Sequence, residues 1–376
     1  MQVRRSLGCS WFREVPHFET ADVVVIGLGP AGARAAGVAA QAGFRVIALE
    51  RRREAGRPVQ CAELVPALLQ QEVPDLLSVS EQRVTSMATF VENAPPDEMP
   101  NFHGYMINRA AFDRLLAEQA ANAGAECRFD CALLRIDTEG LLYTSDHHCL
   151  QAQIIIGADG PHSRVGAAIG QRNQELVETR QVTVPLLHAY DATDIFLSGD
   201  YPGGYGWLFP KSGFANLGLG LCSETRHQLK RLLDQLHRRL IELGRVDARP
   251  VGLTGGPIPV GGRLRATGFI GSVPVVLAGD AAGLTNPITG AGIAAAVQSG
   301  GLAGRAAVDW LAGRSEALDL YEEELGDIFD ASLHRALRHR RTLIARSRDG
   351  LRPSPDELRS AWIAYPQYWS DSCAGS

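Results

Sequence analysis

The sequence predicts a mixed α/β protein in which a Rossmann-like nucleotide-binding domain is interleaved with a β-sheet substrate domain and followed by a helical C-terminal region. Three stretches carry that prediction: ADVVVIGLGPAGARAAGVAAQAG over 21–43, a short apolar run ending in GADGPHSRVG, and VPVVLAGDAAGLTNPITGAGIAAAVQSG. In each, an apolar run suited to a strand buried on both faces of a parallel sheet leads directly into a glycine turn.

At 376 residues and 45% hydrophobic content, the chain exceeds what a single core usually supports. Two intimately joined domains are expected. Their bounds are an N-terminal extension over 1–20, a discontinuous nucleotide-binding domain over 21–80, 103–180 and 265–310, a substrate sheet domain over 81–102 and 181–264, and a helical region over 311–376. A net charge of -5 argues against a nucleic-acid binder. The seven cysteines are scattered without a C-x-x-C, which predicts no zinc or cysteine-ligated cluster and favours a reducing cytoplasm. No metal site is expected. Paired arginines near the N-terminus lack the apolar core of an export signal. No apolar run reaches the roughly 18 residues of a membrane-spanning helix, while peripheral membrane contact is compatible with the composition.

In the first stretch, the run Val23 to Ile26 reads as a buried strand. Gly27 makes the tight turn, Gly29 admits a pyrophosphate against the backbone, and Gly32 lets helix and strand touch. Pro30 and Ala31 open a helix whose free amides receive the anion. A second strand, Arg45 to Leu49, ends at Glu50, 23 residues beyond Gly27, where a ribose diol is expected. The loop from Arg51 then opens into a helix near Glu63. Cys61 at that opening is either a half-buried inert thiol or a group placed beside a bound ring, with Ala62 next to it.

Strands over 82–102 are broken by Pro95-Pro96, and Asn108 and Arg109 open an amphipathic helix. Arg109 is either a surface arginine or a phosphate partner. A strand over 126–135 follows, in which Leu133 offers backbone contacts, and then a hairpin over 141–153. Asp159 in the GADG turn reads as a second nucleotide-facing acid or as part of a plain strand-to-helix loop. In YPGGYGWLFPKSGFANLGLGL, Tyr205, Trp207 and Phe209 alternate and share one strand face, either a cavity wall or an ordinary packed sheet face. An amphipathic helix over 225–243 leads to the last strand, which ends at Gly279 and Asp280. Gly290, Gly292 and Ile293 start a helix with free N-terminal amides. Helices then run to Arg348, their arginines read mainly as a solvated face.

The three glycine signatures, in that order, resemble the FAD-binding proteins with the p-hydroxybenzoate hydroxylase-like fold over nearly the whole chain. Within that group, VQCAELV, YGWLFPKSG and NLGLG are similar to the geranylgeranyl reductase family. The resemblance implies FAD held at Ala31, Glu50, Arg51, Cys61, Ala62, Arg109, Leu133, Asp280, Gly292 and Ile293, with Asp159 supporting the cofactor or a nicotinamide partner. It implies a prenyl pocket lined by Tyr205, Trp207 and Phe209, near Pro287, and reduction of isoprenoid carbon–carbon double bonds. NADPH or ferredoxin would be the electron donor, the latter a redox partner protein. Cys61 or Tyr205 would supply the proton. Rival readings on the same scaffold are an aromatic hydroxylase using NAD(P)H and oxygen, and an electron carrier to quinone. A halogenase is disfavoured, because Y-G-W-L-F-P replaces its W-x-W-x-I-P and lysines are scarce.

Overall fold

The structure is a computed structural model that describes residues 17–370. It contains two sheets. The first has eight strands, ordered Thr267–Ile270, Val273–Leu277, His148–Gly157, His17–Ile26, Val46–Leu49 and Glu126–Arg128, with Leu133–Ile136 and Leu142–Thr144 attached beside His148–Gly157. The pairs from Val273–Leu277 through Glu126–Arg128 are parallel. Ile26 pairs with Leu49 and Gly157, and Gly157 with Leu277, so the three glycine signatures emerge side by side at the carboxyl ends of neighbouring strands. That edge is where open α/β sheets hold ligands.

Helices Pro30–Gln41, Arg109–Asn122 and Ile293–Leu311 cover this sheet. Small residues decide how closely they pack. A Cβ built on Gly300 would lie 2.2 Å from Ala31 O, and one on Gly304 would lie 2.7 Å from Val38 Cβ. A Gly300→Val enzyme must therefore push two helices apart, at a cost of about 1–3 kcal/mol or more. Its urea midpoint is expected to fall with an unchanged m-value; an unaltered midpoint would contradict this packing.

The second sheet has nine strands, ordered Gly252–Thr254, Leu176–Pro185, Phe214–Cys222, Gly206–Lys211, Ala192–Leu197, Ser80–Val91, Asp97–Ile107 and Leu64–Pro66, with Pro257–Pro259 also on Leu176–Pro185. Its strands thus reach beyond 81–102 and 181–264 into both flanking stretches. Alternation along the strands separates two cores. Leu208, Phe196 and Leu217 pack on the helix Leu229–Glu242, while Trp207, Phe209 and Ile195 face the other way, toward Leu358 and Trp362.

Several expectations need correction. The first strand begins at His17 rather than after residue 20, because 17–20 pair with 148–151 and Glu19 is ion-paired to Arg45 and Arg128. The remainder of the expected extension, 1–16, lies outside the described residues, as do 371–376. No helix opens near Glu63; that residue sits at φ 69° and turns the chain into the strand Leu64–Pro66. The strand expected over 126–135 divides in two, because Asp130 N and Cys131 N leave the sheet to donate to Arg52 O and Glu50 O. The C-terminal helices Ala317–Leu325 and Ala331–Arg348 are joined by a π-helical turn, and Arg263 anchors them through Glu322 and Asp330, both at 2.7 Å. No helix among the described residues is long and apolar enough to cross a membrane.

Candidate active site

The glycine turn after Ile26 is closed on the protein side and open on the other. Cβ atoms on Gly27 and Gly32 would meet Ala158 O at 2.4 Å and Gly27 O at 1.8 Å, whereas one on Gly29 would meet nothing within 4 Å. Gly29 caps the helix Pro30–Gln41 with no side-chain bond and no acid in the first turn, so its leading amides face that space unclaimed. Glu50 stiffens the rim by accepting from Leu28 N and Arg52 N, both at 3.0 Å. Arg51 is exposed beside it. Across the gap, Gly292 caps the helix Ile293–Leu311, again without a side-chain bond. Gly290 at φ 67° has only the Ile258 side chain near its Cβ position.

Asp280 follows Gly279 on the neighbouring strand end and accepts from the Thr285 hydroxyl at 2.8 Å. Burial pushes its carboxyl above the usual range, against the pull of Thr285 and the Arg109 charge. Arg109 is not a surface residue. It forms a bidentate pair with Asp113 at 2.9 Å. Burial opposes its charge, but Asp113 and Cys61 outweigh burial and raise its pKa.

Cys61, Ala62 and Glu63 form a loop that is clamped to the second sheet. Gln181 donates to Cys61 O at 3.1 Å, and Asn216 to Ala62 O at 3.2 Å. The buried Glu63 carboxylate receives Lys211 Nζ at 2.7 Å, Asn216 Nδ2 at 3.0 Å and Arg109 N at 3.0 Å. Cys61 Sγ accepts from Glu63 N at 3.1 Å.

Trp207 Nε1 donates to Gln181 Oε1 at 3.0 Å, so one amide links the aromatic wall to the Cys61 loop. The Tyr205, Trp207 and Phe209 rings succeed one another at 5.7 and 6.3 Å, on one face as the alternation predicts. The glycines of NLGLG make room for this wall: a Cβ on Gly218 would lie 2.1 Å from the Trp207 ring. A Gly218→Val enzyme is expected to lose about 1–3 kcal/mol and to shift its tryptophan emission to the red, as the indole is expelled. Unchanged emission would show that Trp207 is not held this way.

Tyr205 also touches Trp362 at 4.9 Å and borders a compact, mostly apolar cavity with Leu197, Ile288, Arg340 and Leu358. Its hydroxyl donates to Thr289 O at 2.6 Å, and burial raises its pKa. That hydrogen is committed to a carbonyl, which weakens Tyr205 as a proton source. Pro287 is buried beside the cavity, its carbonyl 3.4 Å from Arg340 Nη1.

Two other expected site residues have partners within the protein. Asp159, raised by burial, accepts from the Ser163 hydroxyl and from Arg164 N and Val165 N at 2.7 and 3.3 Å, bracing a short helix. Leu133 O receives Arg164 Nη1 at 2.6 Å. Sequence reasoning missed Glu63, Gln181, Asn216, Asn173 and Arg340. Asn173 donates to both Pro161 O and Asp280 O, joining two of the glycine turns. Lys211 could have been found, being one of only two lysines and lying inside YGWLFPK.

A parallel sheet whose carboxyl edge carries three glycine turns, beside a second sheet with an aromatic face, makes a mixed α/β fold suited to hold a dinucleotide. No protein-family model matches the chain. Curated relatives do. The digeranylgeranylglycerophospholipid reductase 2 of Methanopyrus kandleri is 34% identical over 339 residues, covering 83% of this chain and 85% of the relative. The digeranylgeranylglycerophospholipid reductase of Methanosarcina acetivorans is 34% identical over 325 residues, covering 80% and 78%. A solved structure from Thermoplasma acidophilum, described as geranylgeranyl bacteriochlorophyll reductase-like, matches with a TM-score of 0.81 and 26% identity over 93% of this chain and 92% of that one. The chain belongs to the geranylgeranyl reductase family of FAD-dependent oxidoreductases.

Proposed function

We propose that the chain holds FAD across the carboxyl ends of the first sheet and saturates double bonds of an isoprenoid chain lying against Tyr205, Trp207 and Phe209. The observation that carries this reading is the Trp207–Gln181–Cys61 path, which fixes a dry aromatic wall to the loop bordering the glycine cradle. In this reading Gly27, Gly29, Pro30, Ala31 and Gly32 cradle the pyrophosphate. Glu50 with Arg51 receives the ribose, Asp280 and Gly279 the ribitol, and Gly290, Gly292 and Ile293 the flavin ring. Cys61, Ala62 and Arg109 border the ring, and Leu133 and Asp159 support these loops from behind.

When bound, reduced FAD supplies the hydride that one alkene carbon accepts. The chain's own residues do the rest. The alkene has no polar handle, so it is held by apolar burial worth roughly 0.8 kcal/mol per CH₂ along the wall. Trp207 and Phe209 exclude water. Cys61 is the better placed proton source for the second alkene carbon, since the Tyr205 hydrogen is bound to Thr289 O. Arg109 provides the counter-charge for the sulfur once its proton has left. The relatives' names point to a polar lipid as the carrier of the isoprenoid, which supports a reading with peripheral membrane contact from the cytoplasm.

The electron donor is NADPH or a ferredoxin-like partner protein. Anaerobic stopped-flow with each donor tests this: bleaching of bound flavin followed by prenyl reduction supports the reading. Bleaching that leads only to an oxygenated product in air would favour the hydroxylase chemistry instead.

A further inference from the structure

Three stretches that carry the family resemblance meet at one buried carboxylate. VQCAELV supplies Glu63, YGWLFPKSG supplies the ammonium of Lys211, and NLGLG supplies the amide of Asn216. Lys211 continues the alternation of Tyr205, Trp207 and Phe209, so it shares their face of the strand Gly206–Lys211, and Asn216 is the cross-strand neighbour of Phe209. The cluster therefore closes the Phe209 end of the aromatic face. On its other side Glu63 accepts from Arg109 N at 3.0 Å, at the start of the helix Arg109–Asn122 that covers the first sheet. One side chain thus ties the substrate sheet to the nucleotide half.

Two features exceed what an ion pair between sheets requires. Glu63 stands at φ 69°, in the left-handed region that side chains other than glycine rarely enter, and such backbone persists only where its surroundings impose it. The same turn lays Glu63 N against Cys61 Sγ at 3.1 Å. Because the sulfur accepts there, its own hydrogen is left for another acceptor. The Arg109 guanidinium interacts with that sulfur as well, so the residue whose amide Glu63 holds is also the cation beside the thiol.

We propose that Glu63, held by Lys211 and Asn216, is a positioning residue for the reduction: it fixes the Cys61 thiol in the orientation that delivers its proton. This inference rests on the reading of Cys61 as the proton source. One alkene carbon takes the hydride, with its electron pair, from reduced flavin. The other takes the Cys61 proton, and the thiolate left behind recovers a proton from water. Glu63 passes no proton in this step, since its carboxylate is taken up by three donors. It acts through Cys61.

The test is a kinetic cycle on the FAD-loaded enzyme with Glu63→Gln, Cys61→Ala and the two changes together, after circular dichroism and flavin content have confirmed folding. Each enzyme is reduced, freed of reductant and mixed anaerobically with a geranylgeranyl substrate, and the return of oxidised flavin absorbance gives the rate. Cys61→Ala should slow it by about a hundred-fold or more, as for a missing general acid. Glu63→Gln should slow it by about ten-fold or more, because a small displacement of a reacting group already costs that much, while the substrate concentration for half-maximal rate changes little. The double variant should be no slower than Cys61→Ala alone, since Glu63 has nothing left to position. In the flavin-free protein, the amides of Glu63 and Arg109 should exchange hydrogen faster in Glu63→Gln while the strands of the first sheet keep their protection. If Glu63→Gln does not fold, Lys211→Gln takes its place in the cycle. Single effects that multiply in the double variant, an unslowed Glu63→Gln enzyme, or unchanged exchange at those amides would overturn the proposal. A Cys61→Ala enzyme as fast as the wild type would remove the proton reading and the proposal together, and leave the reductase reading standing. Flavin of the wild type that never reoxidises with substrate would strike the reductase reading itself.

Discussion

A Gly29→Val enzyme is expected to fold normally and to emerge from purification without flavin. Gly29 has an ordinary negative φ of -71°, and its Cβ position is empty to 4 Å, so a side chain strains nothing in the protein. It would instead stand in the space over the amides of the helix Pro30–Gln41. Losing two amide contacts to a charged pyrophosphate, each worth about 1.5–3 kcal/mol, predicts a flavin affinity lowered on the order of a hundred-fold or more. Gly32→Val is the contrasting case. Its Cβ would fall 1.8 Å from Gly27 O, so the turn cannot close and soluble protein should be lost. Flavin absorbance per mole of folded protein separates the two. A yellow Gly29→Val enzyme would place the pyrophosphate elsewhere.

Glu63→Leu should be the most destabilising change in the substrate half. Glu63 is 6% exposed and gathers Lys211, Asn216 and the first amide of the helix Arg109–Asn122. Its removal leaves a largely buried ammonium whose next carboxylate, Glu81, is 3.7 Å away, orphans the Arg109 amide, and leaves Asn216 Nδ2 with Ala62 O alone. Breaking one side of such a buried pair costs about 3–5 kcal/mol. Because most of that is the penalty on the partner left behind, Glu63→Leu with Lys211→Met should recover a good part of it. Urea denaturation of the two single variants and the double variant reads this directly. Additive losses would show that Lys211 and Glu63 are not coupled.

The nucleotide half was largely legible because its strands are continuous apolar runs and its turns need glycine for steric reasons that spacing reveals. The shared face of Tyr205, Trp207 and Phe209 was legible for a similar reason, period-two alternation. What escaped was long-range polar chemistry. Glu63 looked like a helix-opening acid, yet its partners lie 148 and 153 positions away, at Lys211 and Asn216. Arg109 could not be told from a surface arginine because its partner Asp113 and the Cys61 loop close over it only in the fold. Arg340 was hidden among arginines that face water, since one inward side chain leaves the pattern of a charged helix unaltered. The polar start of the first strand, 17–20, was passed over because its stabilisation comes from ion pairs rather than from apolar burial.

The proposed reaction is hydride transfer from reduced flavin to an isoprenoid alkene within this site. The direct measurement is anaerobic: flavin on the enzyme is reduced, excess reductant is removed, and a geranylgeranyl substrate is added while absorbance and product mass are followed. The expected result is return of the oxidised flavin spectrum in step with a product heavier by two hydrogens for each double bond saturated. Flavin that stays reduced in the presence of bound prenyl substrate would contradict it.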